Sequence, residues 1–168
     1  EDLKKHINEN NEKFLIEKAD ISIIKITPEK VTGEADFSEN FFSIIDEIED
    51  LIVNNINISE ISKKYNLKVK TFKEYHPGKI KDNENLLNEI YKKRNKSNTD
   101  MLDKNSFFLL YEIKNIKKVL PNIDDQNFSL IVKNDLYEES KYNLHKELMI
   151  KIQKKEFTDN DFFNLSNG

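Results

Sequence analysis

The sequence predicts a mixed α+β protein that ends in a long helix. A β-branched run from Ala19 to Thr27 is typical of a buried strand. Between Asp36 and Asn54, apolar residues recur at helical spacing. From Asp124 to about Lys155 neither Pro nor Gly interrupts the chain, so we expect one long helix, or two. The 168 residues suffice for one domain, or for one domain with a helical extension.

The first half of the chain opens with a weak helix and continues with a strong one. Residues 2–14 carry a thin apolar stripe, which predicts a helix lying on the surface. The helix between Asp36 and Asn54 has one wide apolar face, and Asp36 with Glu39 is a candidate capping pair. The apolar face consists of Phe41, Ile44, Ile45, Ile48, Leu51 and Ile52.

Shorter elements follow. A helix is predicted from Ile58 to Tyr65, with Asn57 or Ser59 as its N-cap and Asn66 as its left-handed stop. The next strand is predicted from alternating apolar and β-branched residues, which are Leu67, Val69 and Thr71.

The second half begins with a turn at Tyr75 to Gly78 and a polar loop from Lys79 to Asn85. A short helix then carries Leu86, Leu87, Ile90 and Tyr91. The stretch Phe107 to Ile116 predicts a further strand, which ends before Pro121. We expect the tail from Phe157 onward to be a frayed end or a short helical turn.

Composition excludes several classes of partner. The net charge is −4, its 27 basic and 31 acidic residues are interspersed, and Arg94 is the single Arg. Because phosphate recognition needs a basic stripe and favours Arg, we expect no nucleic-acid partner. No apolar run reaches the length of a membrane span, so we expect no membrane contact from these residues. Since the sequence begins with Glu1 and not Met, we expect it to be part of a longer chain.

The residues that usually hold metals and cofactors are few and scattered. There is no Cys, and the three histidines, His6, His76 and His145, match no ligand spacing. The three glycines, Gly33, Gly78 and Gly168, fit no phosphate-binding or nucleophile motif. Asp159 and Asp161 lack the Gly and Glu of a calcium loop. We therefore expect no metal, no cofactor and no catalytic residue of these kinds.

Two further features have a functional and a structural interpretation. The acids from Asp46 to Asp50 suggest paired carboxylates for acid–base catalysis, but a solvated helix face explains them better. The pairs Phe41 with Phe42 and Phe107 with Phe108 are candidates for lining a peptide groove, although core packing is the favoured role. In each pair we expect one ring to face the core and the other to face something else.

Taken together, these segments resemble a parvulin-type (PpiC-type) peptidyl-prolyl cis-trans isomerase domain, as found in bacterial periplasmic folding factors. DLKKHINENNEKF followed by ISIIKIT is similar to the helix that leads into the family's first strand. LLNEIYKK is similar to its short helix, and DMLDKNSFFLLYEIKNI to its final hairpin. The resemblance implies a small antiparallel sheet with surrounding helices. It also implies three segments: 1–18 from an adjoining chaperone lobe, a degenerate parvulin-like domain at 19–120, and the C-terminal helix and tail at 121–168.

The residues that carry catalysis in the family are absent. Active members have a His on the first strand and another on the last, and by resemblance these positions hold Ile23 and Leu109. The family's Gly-Gly motif falls on Val69 to Tyr75, which contains no Gly. Tyr91 and Met101 retain the apolar character of the prolyl pocket. The resemblance therefore implies Ile23, Tyr91, Met101 and Leu109 as substrate-binding residues, with no catalytic residue.

The resemblance implies a module of a folding factor that binds unfolded or extended polypeptide and isomerises prolines slowly or not at all. It also implies a periplasmic location, with any inner-membrane anchor outside these residues. Two alternatives stay open. One is an assembly domain whose long helix pairs with a second copy or an adjoining chaperone lobe, and the other is an active isomerase with non-standard site residues.

Overall fold

A computed structural model describes residues 2–95 and 99–166. The predicted fold class is confirmed: the chain is mixed α+β, with a small antiparallel sheet, surrounding helices and a long C-terminal helix. In chain order the elements are α1 (Asp2–Glu9), α2 (Asn11–Phe14), β1 (Ile16–Ile26), α3 (Pro28–Val31), α4 (Glu39–Val53), α5 (Ile58–Lys64), β2 (Lys70–Tyr75), α6 (Glu84–Lys92), β3 (Thr99–Asp103), β4 (Phe108–Val119), α7 (Gln126–Gln153) and α8 (Asp159–Ser166).

The chain forms two compact units. The sheet unit is Ile16–Val119, and the helical unit combines Glu1–Leu15 with Leu120–Gly168. The resemblance divides the chain into three segments, 1–18, 19–120 and 121–168, and treats the first and the last as separate. These boundaries stay predictions.

The sheet has the strand order β2-β1-β4-β3, with antiparallel neighbours throughout. The central pair runs from Ile16 opposite Val119 to Ile26 opposite Phe108. Because successive side chains on a strand point to opposite faces, each central strand contributes to two hydrophobic layers.

One face of the sheet is covered by α6, whose Leu87, Ile90 and Tyr91 are buried. We call it the α6 face. Its buried residues form one cluster, which consists of Ala19, Ile21, Ile23, Phe72, Tyr75, Leu87, Ile90, Tyr91, Leu109, Tyr111 and Ile113.

The opposite face is covered by α4 and α5, and we call it the α4 face. Its buried residues are Ile24, Ile26, Phe41, Ile45, Ile48, Ile58, Ile61, Leu67 and Leu110. The predicted cap of α5 is confirmed, since the Asn57 side chain accepts from the backbone N–H groups of Ser59 and Glu60. Asn66 has a φ of 51°, as a left-handed stop requires.

Several predictions about local structure are wrong. The N-cap of α4 is Ser38, which accepts from the Phe41 N–H, so the Asp36 and Glu39 capping pair does not form. Strand β2 begins at Lys70, and Leu67 and Val69 precede it and pack into the α4 face. The residue pattern alone also missed β3, although the resemblance implied a hairpin there.

The helical unit is built on α7, which runs for 28 residues as one helix. Residues 2–14 form two helices in place of the single weak surface helix expected. Their buried Ile7 and Phe14 pack with Phe128 and Val132 of α7. The tail includes α8, an eight-residue helix. Among the described residues, no helix combines the length and apolarity needed to cross a membrane.

Helix α4 offers a matched test of this packing. Ile48 has no exposed surface, whereas Val53 on the same helix is 79% exposed. We expect Ile48→Ala to lower the free energy of unfolding by about 2–5 kcal/mol, because it leaves a cavity in the α4 face. Val53→Ala should change it by less than about 0.5 kcal/mol. Urea unfolding followed by circular dichroism measures both, and equal effects would contradict the packing described for α4.

Candidate functional site

The candidate site lies on the α6 face, where the central strands meet. The register places Ile23 opposite Tyr111, and Leu109 lies two residues before Tyr111 on the same strand. All three side chains therefore share one face. Together with Tyr91 of α6, they form the group that we call the slot.

Tyr91 closes the slot from the helix side. Its hydroxyl donates to the backbone carbonyl of Glu17 over 2.7 Å. The Arg94 guanidinium lies 4.2 Å from the centre of the Tyr91 ring and pairs with the Glu17 carboxylate at 2.6 Å. The ring is thus held by a hydrogen bond at its tip and by a cation on its face.

Two further tyrosines fill the same layer. The Tyr75 hydroxyl donates to Oδ1 of Asn88 over 2.7 Å, and its ring meets Tyr91 edge-to-face with centroids 5.9 Å apart. The Tyr111 hydroxyl donates to Oδ2 of Asp100 over 2.9 Å. Both rings are fully buried, so each phenol has a fixed partner in an otherwise apolar layer.

Burial sets the protonation state of these phenols. It raises the pKa of Tyr75 and Tyr91 above the ordinary value. The pKa of Tyr111 is raised most, first by burial and then by the hydrogen bond to Asp100. Tyr111 therefore stays a neutral phenol, and its O–H already donates a hydrogen bond to Asp100. It can serve neither as a base nor as a nucleophile at neutral pH.

The structure brings three of the four predicted substrate-binding residues together. Ile23, Tyr91 and Leu109 lie in one cluster and are 8%, 8% and 1% exposed. Met101 pairs with Leu110 and packs into the α4 face, away from the other three. A polypeptide would reach Ile23, Tyr91 and Leu109 only if α6 moved from the sheet.

Sequence reasoning missed Tyr75 and Tyr111. Tyr111 alternates with Leu109 and Ile113 in FLLYEI, so strand periodicity could have placed it on the same face. Tyr75 had no such signal, because it ends a strand whose start was misplaced by the pattern of Leu67 and Val69.

Two of the histidines have polar partners within the protein. His6 is buried, with Nε2 3.0 Å from Oδ2 of Asp135 and Nδ1 3.3 Å from Oε2 of Glu139, and it links α1 to α7. His76 lies in the turn, where its Nδ1 is 3.0 Å from the Pro77 carbonyl oxygen. Within residues 2–95 and 99–166, no cluster of three or more His, Cys, Asp or Glu side chains is placed to hold a metal ion.

The aromatic pairs behave differently from one another. Phe41 is fully buried and Phe42 is 46% exposed, so this pair divides between core and solvent as expected. Phe107 and Phe108 are both half-buried and pack on opposite faces of the sheet. The acids from Asp46 to Asp50 are exposed, consistent with a solvated helix face.

No protein-family model, no curated protein and no solved structure matches this chain. The resemblance to the parvulin family therefore stays a prediction from the residues quoted above.

The buried phenols predict a dependence of stability on alkaline pH. Because the folded-state pKa of Tyr111 is raised, its stabilising contribution is present below the unfolded pKa of about 10 and is lost as the pH rises further. We expect Tyr111→Phe to flatten the fall in the free energy of unfolding above pH 10 by about 1.4 kcal/mol per pH unit.

At pH 7 the same variant should lower the free energy of unfolding by about 1 kcal/mol, because only the hydrogen bond to Asp100 is lost. Urea titrations at pH 7 and at several values above pH 10 measure both effects. An unchanged alkaline slope would contradict the assignment of Tyr111 as a phenol kept neutral by burial.

Proposed function

We propose that this chain is a module of a peptidyl-prolyl isomerase-family folding factor that binds unfolded or extended polypeptide, with isomerisation weak or lost. The order of elements supports the proposal. A strand, helices, a second strand, a helix and a final hairpin form one small antiparallel sheet, as the parvulin resemblance implies. By the same analogy the activity belongs in the periplasm, and any inner-membrane anchor belongs to a segment outside these residues.

The observation that carries the proposal is the apolar, filled slot. Rotation about a peptide bond has a barrier of about 18–20 kcal/mol, and lowering it needs polar groups directed at the twisted amide. The aligned histidine positions hold the buried Ile23 and Leu109. Tyr111, which lies opposite Ile23, has its hydroxyl committed to Asp100. This supports weak or absent catalysis and directs polypeptide binding to surfaces outside the slot.

Apolar side chains outside the slot provide such surfaces. In the sheet unit, Phe37 and Phe42 are 41% and 46% exposed. The helical unit exposes more apolar side chains, which are those of Leu120, Leu130, Ile131, Tyr137, Tyr142, Leu144, Met149, Ile150, Ile152, Phe162, Phe163 and Leu165. Clusters of exposed apolar side chains are typical of surfaces that bind polypeptide.

A paired assay tests this function. In a protease-coupled assay with a proline peptide, we expect the isomerisation rate to equal the spontaneous rate, because the hydroxyls of Tyr75, Tyr91 and Tyr111 already donate hydrogen bonds within the protein. In a second assay, the chain should bind a permanently unfolded protein, such as reduced and carboxymethylated lactalbumin, measured by fluorescence anisotropy. An active parvulin serves as the catalytic control.

Either half can contradict the proposal. Catalysis comparable with that of the active parvulin, and lost in Tyr91→Ala or Met101→Ala, would show an active isomerase with non-standard residues. Failure to bind any unfolded protein would remove polypeptide binding as the function.

A second candidate is assembly through α7. Of its 28 residues, only Phe128 and Val132 are buried, and both lie in its first two turns. The rest of the helix presents apolar side chains to solvent, including Leu144 and Met149. Such a surface suits a second copy of this chain or an adjoining chaperone lobe.

Sedimentation measures this alternative directly. If α7 mediates assembly, the chain should sediment at twice the mass of one copy, and Leu144→Glu should return it to a monomer because a charge would be buried in the interface. Val53→Glu in the sheet unit is the control and should leave the mass unchanged. A monomer at all concentrations would contradict self-assembly.

A further inference from the structure

Two phenylalanines form an exposed patch at the start of α4. The rings of Phe37 and Phe42 lie 6.1 Å apart, and their centroids lie 5.1 and 5.6 Å from that of the buried Phe41. Phe41 in turn contacts Phe108 of the sheet, with centroids 5.9 Å apart. We call Phe37 and Phe42 the phenylalanine patch. It is anchored to the core through Phe41 and is therefore held in place before any partner arrives.

Helix α4, which carries Phe42 of the patch, is acidic. Helix α4 carries five acids and neither Lys nor Arg, and the acids are Glu39, Asp46, Glu47, Glu49 and Asp50. Asp46 and Glu49 follow Phe42 by four and seven residues, so they share its face of the helix. In the described part of the chain, Glu47 pairs with Lys64, whereas no ion pair involves Glu39, Asp46 or Glu49.

The sign of this charge selects the partner. Unpaired carboxylates attract cations and repel phosphate groups, which excludes nucleic acid and anionic membrane surfaces as occupants. The two exposed Phe rings can pack against apolar side chains of a partner. Fixing them in place costs little conformational entropy, since each Phe side chain has only two rotatable bonds. A polypeptide segment in which Lys or Arg residues are interspersed with apolar ones complements both the carboxylates and the rings.

We propose that the phenylalanine patch and the acidic face of α4 together form the docking site for basic, apolar segments of client polypeptide. This inference rests on the proposed polypeptide-binding function and names the class of client. The closed slot on the other face of the sheet takes no part in it. Binding is strongest at low salt, because the carboxylates are exposed and added ions screen them.

Two labelled peptides test the site on the full chain. One has Lys interspersed with Leu and Phe, and the other has Glu in place of every Lys. We expect the Lys peptide to bind and the Glu peptide to bind at least about tenfold more weakly, with the difference in affinity reduced in about 0.5 M NaCl. Fluorescence anisotropy measures both affinities.

Matched variants locate the binding. Phe42→Ala should weaken the Lys peptide at least about fivefold, as for a central aromatic contact. Ile116→Ala removes an exposed apolar side chain from β4, outside the patch, and should have no effect on the affinity for the Lys peptide. Asp46→Lys should weaken binding through charge alone, whereas Asp82→Lys, in the exposed loop before α6, should not. Circular dichroism of each variant verifies the fold, and Asp46→Lys keeps the test valid if Phe42→Ala fails to fold.

The outcomes separate this inference from the function on which it rests. Equal binding of the Lys peptide by Phe42→Ala, Asp46→Lys and the unaltered chain would overturn the docking site. So would equal affinity for the two peptides. If the unaltered chain binds unfolded lactalbumin but binds the Lys peptide no more tightly than the α4 variants do, the site is wrong and the proposed function stands. If the chain binds neither peptide nor lactalbumin, both are wrong.

Discussion

The antiparallel pairing of β1 with β4 is the constraint on which the sheet unit depends. Both strands are central, and each contributes alternate residues to the two hydrophobic layers. Ile23 and Leu109 face α6, while Ile24 and Leu110 face α4. A shift of one residue between these strands would exchange the two layers and expose apolar side chains that are now buried. Burying each such side chain contributes about 1.5–3 kcal/mol, so the register is strongly determined.

The ladder contains irregularities that are held by specific contacts. The register of β1 shifts near Asp20 against both of its neighbours. The Asp20 carboxylate accepts from the Glu74 N–H over 2.7 Å and from the Asn115 side-chain amide over 2.8 Å. Glu74 and Asn115 both have positive φ, at 49° and 52°. One carboxylate therefore contacts both neighbouring strands where their backbones bend, as is common at β-bulges.

Much of the fold could be predicted from sequence because its strongest elements have regular periods. The β-branched run gave β1, and the helical spacing of apolar residues gave α4. The predictions of the α4 cap and of the start of β2 were wrong, because both features depend on contacts that local sequence does not encode. Asp36 had the capping pattern, yet Ser38 lies next to the helix and takes the Phe41 N–H. Leu67 and Val69 alternate like a strand, but they leave the sheet to pack beneath α4.

The site was predicted less completely for the same reason. Resemblance brought Ile23, Tyr91 and Leu109 together; the register places Ile23 and Leu109 on one face, and Tyr91 of α6 packs against that face. Met101 was grouped with them, but its pairing with Leu110 puts it on the α4 face. Whether a slot is open or filled depends on how rings pack across elements. Periodicity could have placed Tyr111 on the face of Leu109, but it does not predict that Tyr75, from another strand, packs in the same layer beneath α6.

Native-state hydrogen exchange, measured with and without unfolded lactalbumin, tests the central claim that the slot is a closed part of the core. We expect the amides of Ile21 to Ile24 and Leu109 to Ile113 to exchange slowest in the sheet unit, and added polypeptide to leave their exchange rates unchanged. Faster exchange in these segments or around Tyr91 when the polypeptide is added would contradict it, because it would show that the slot opens to receive the client.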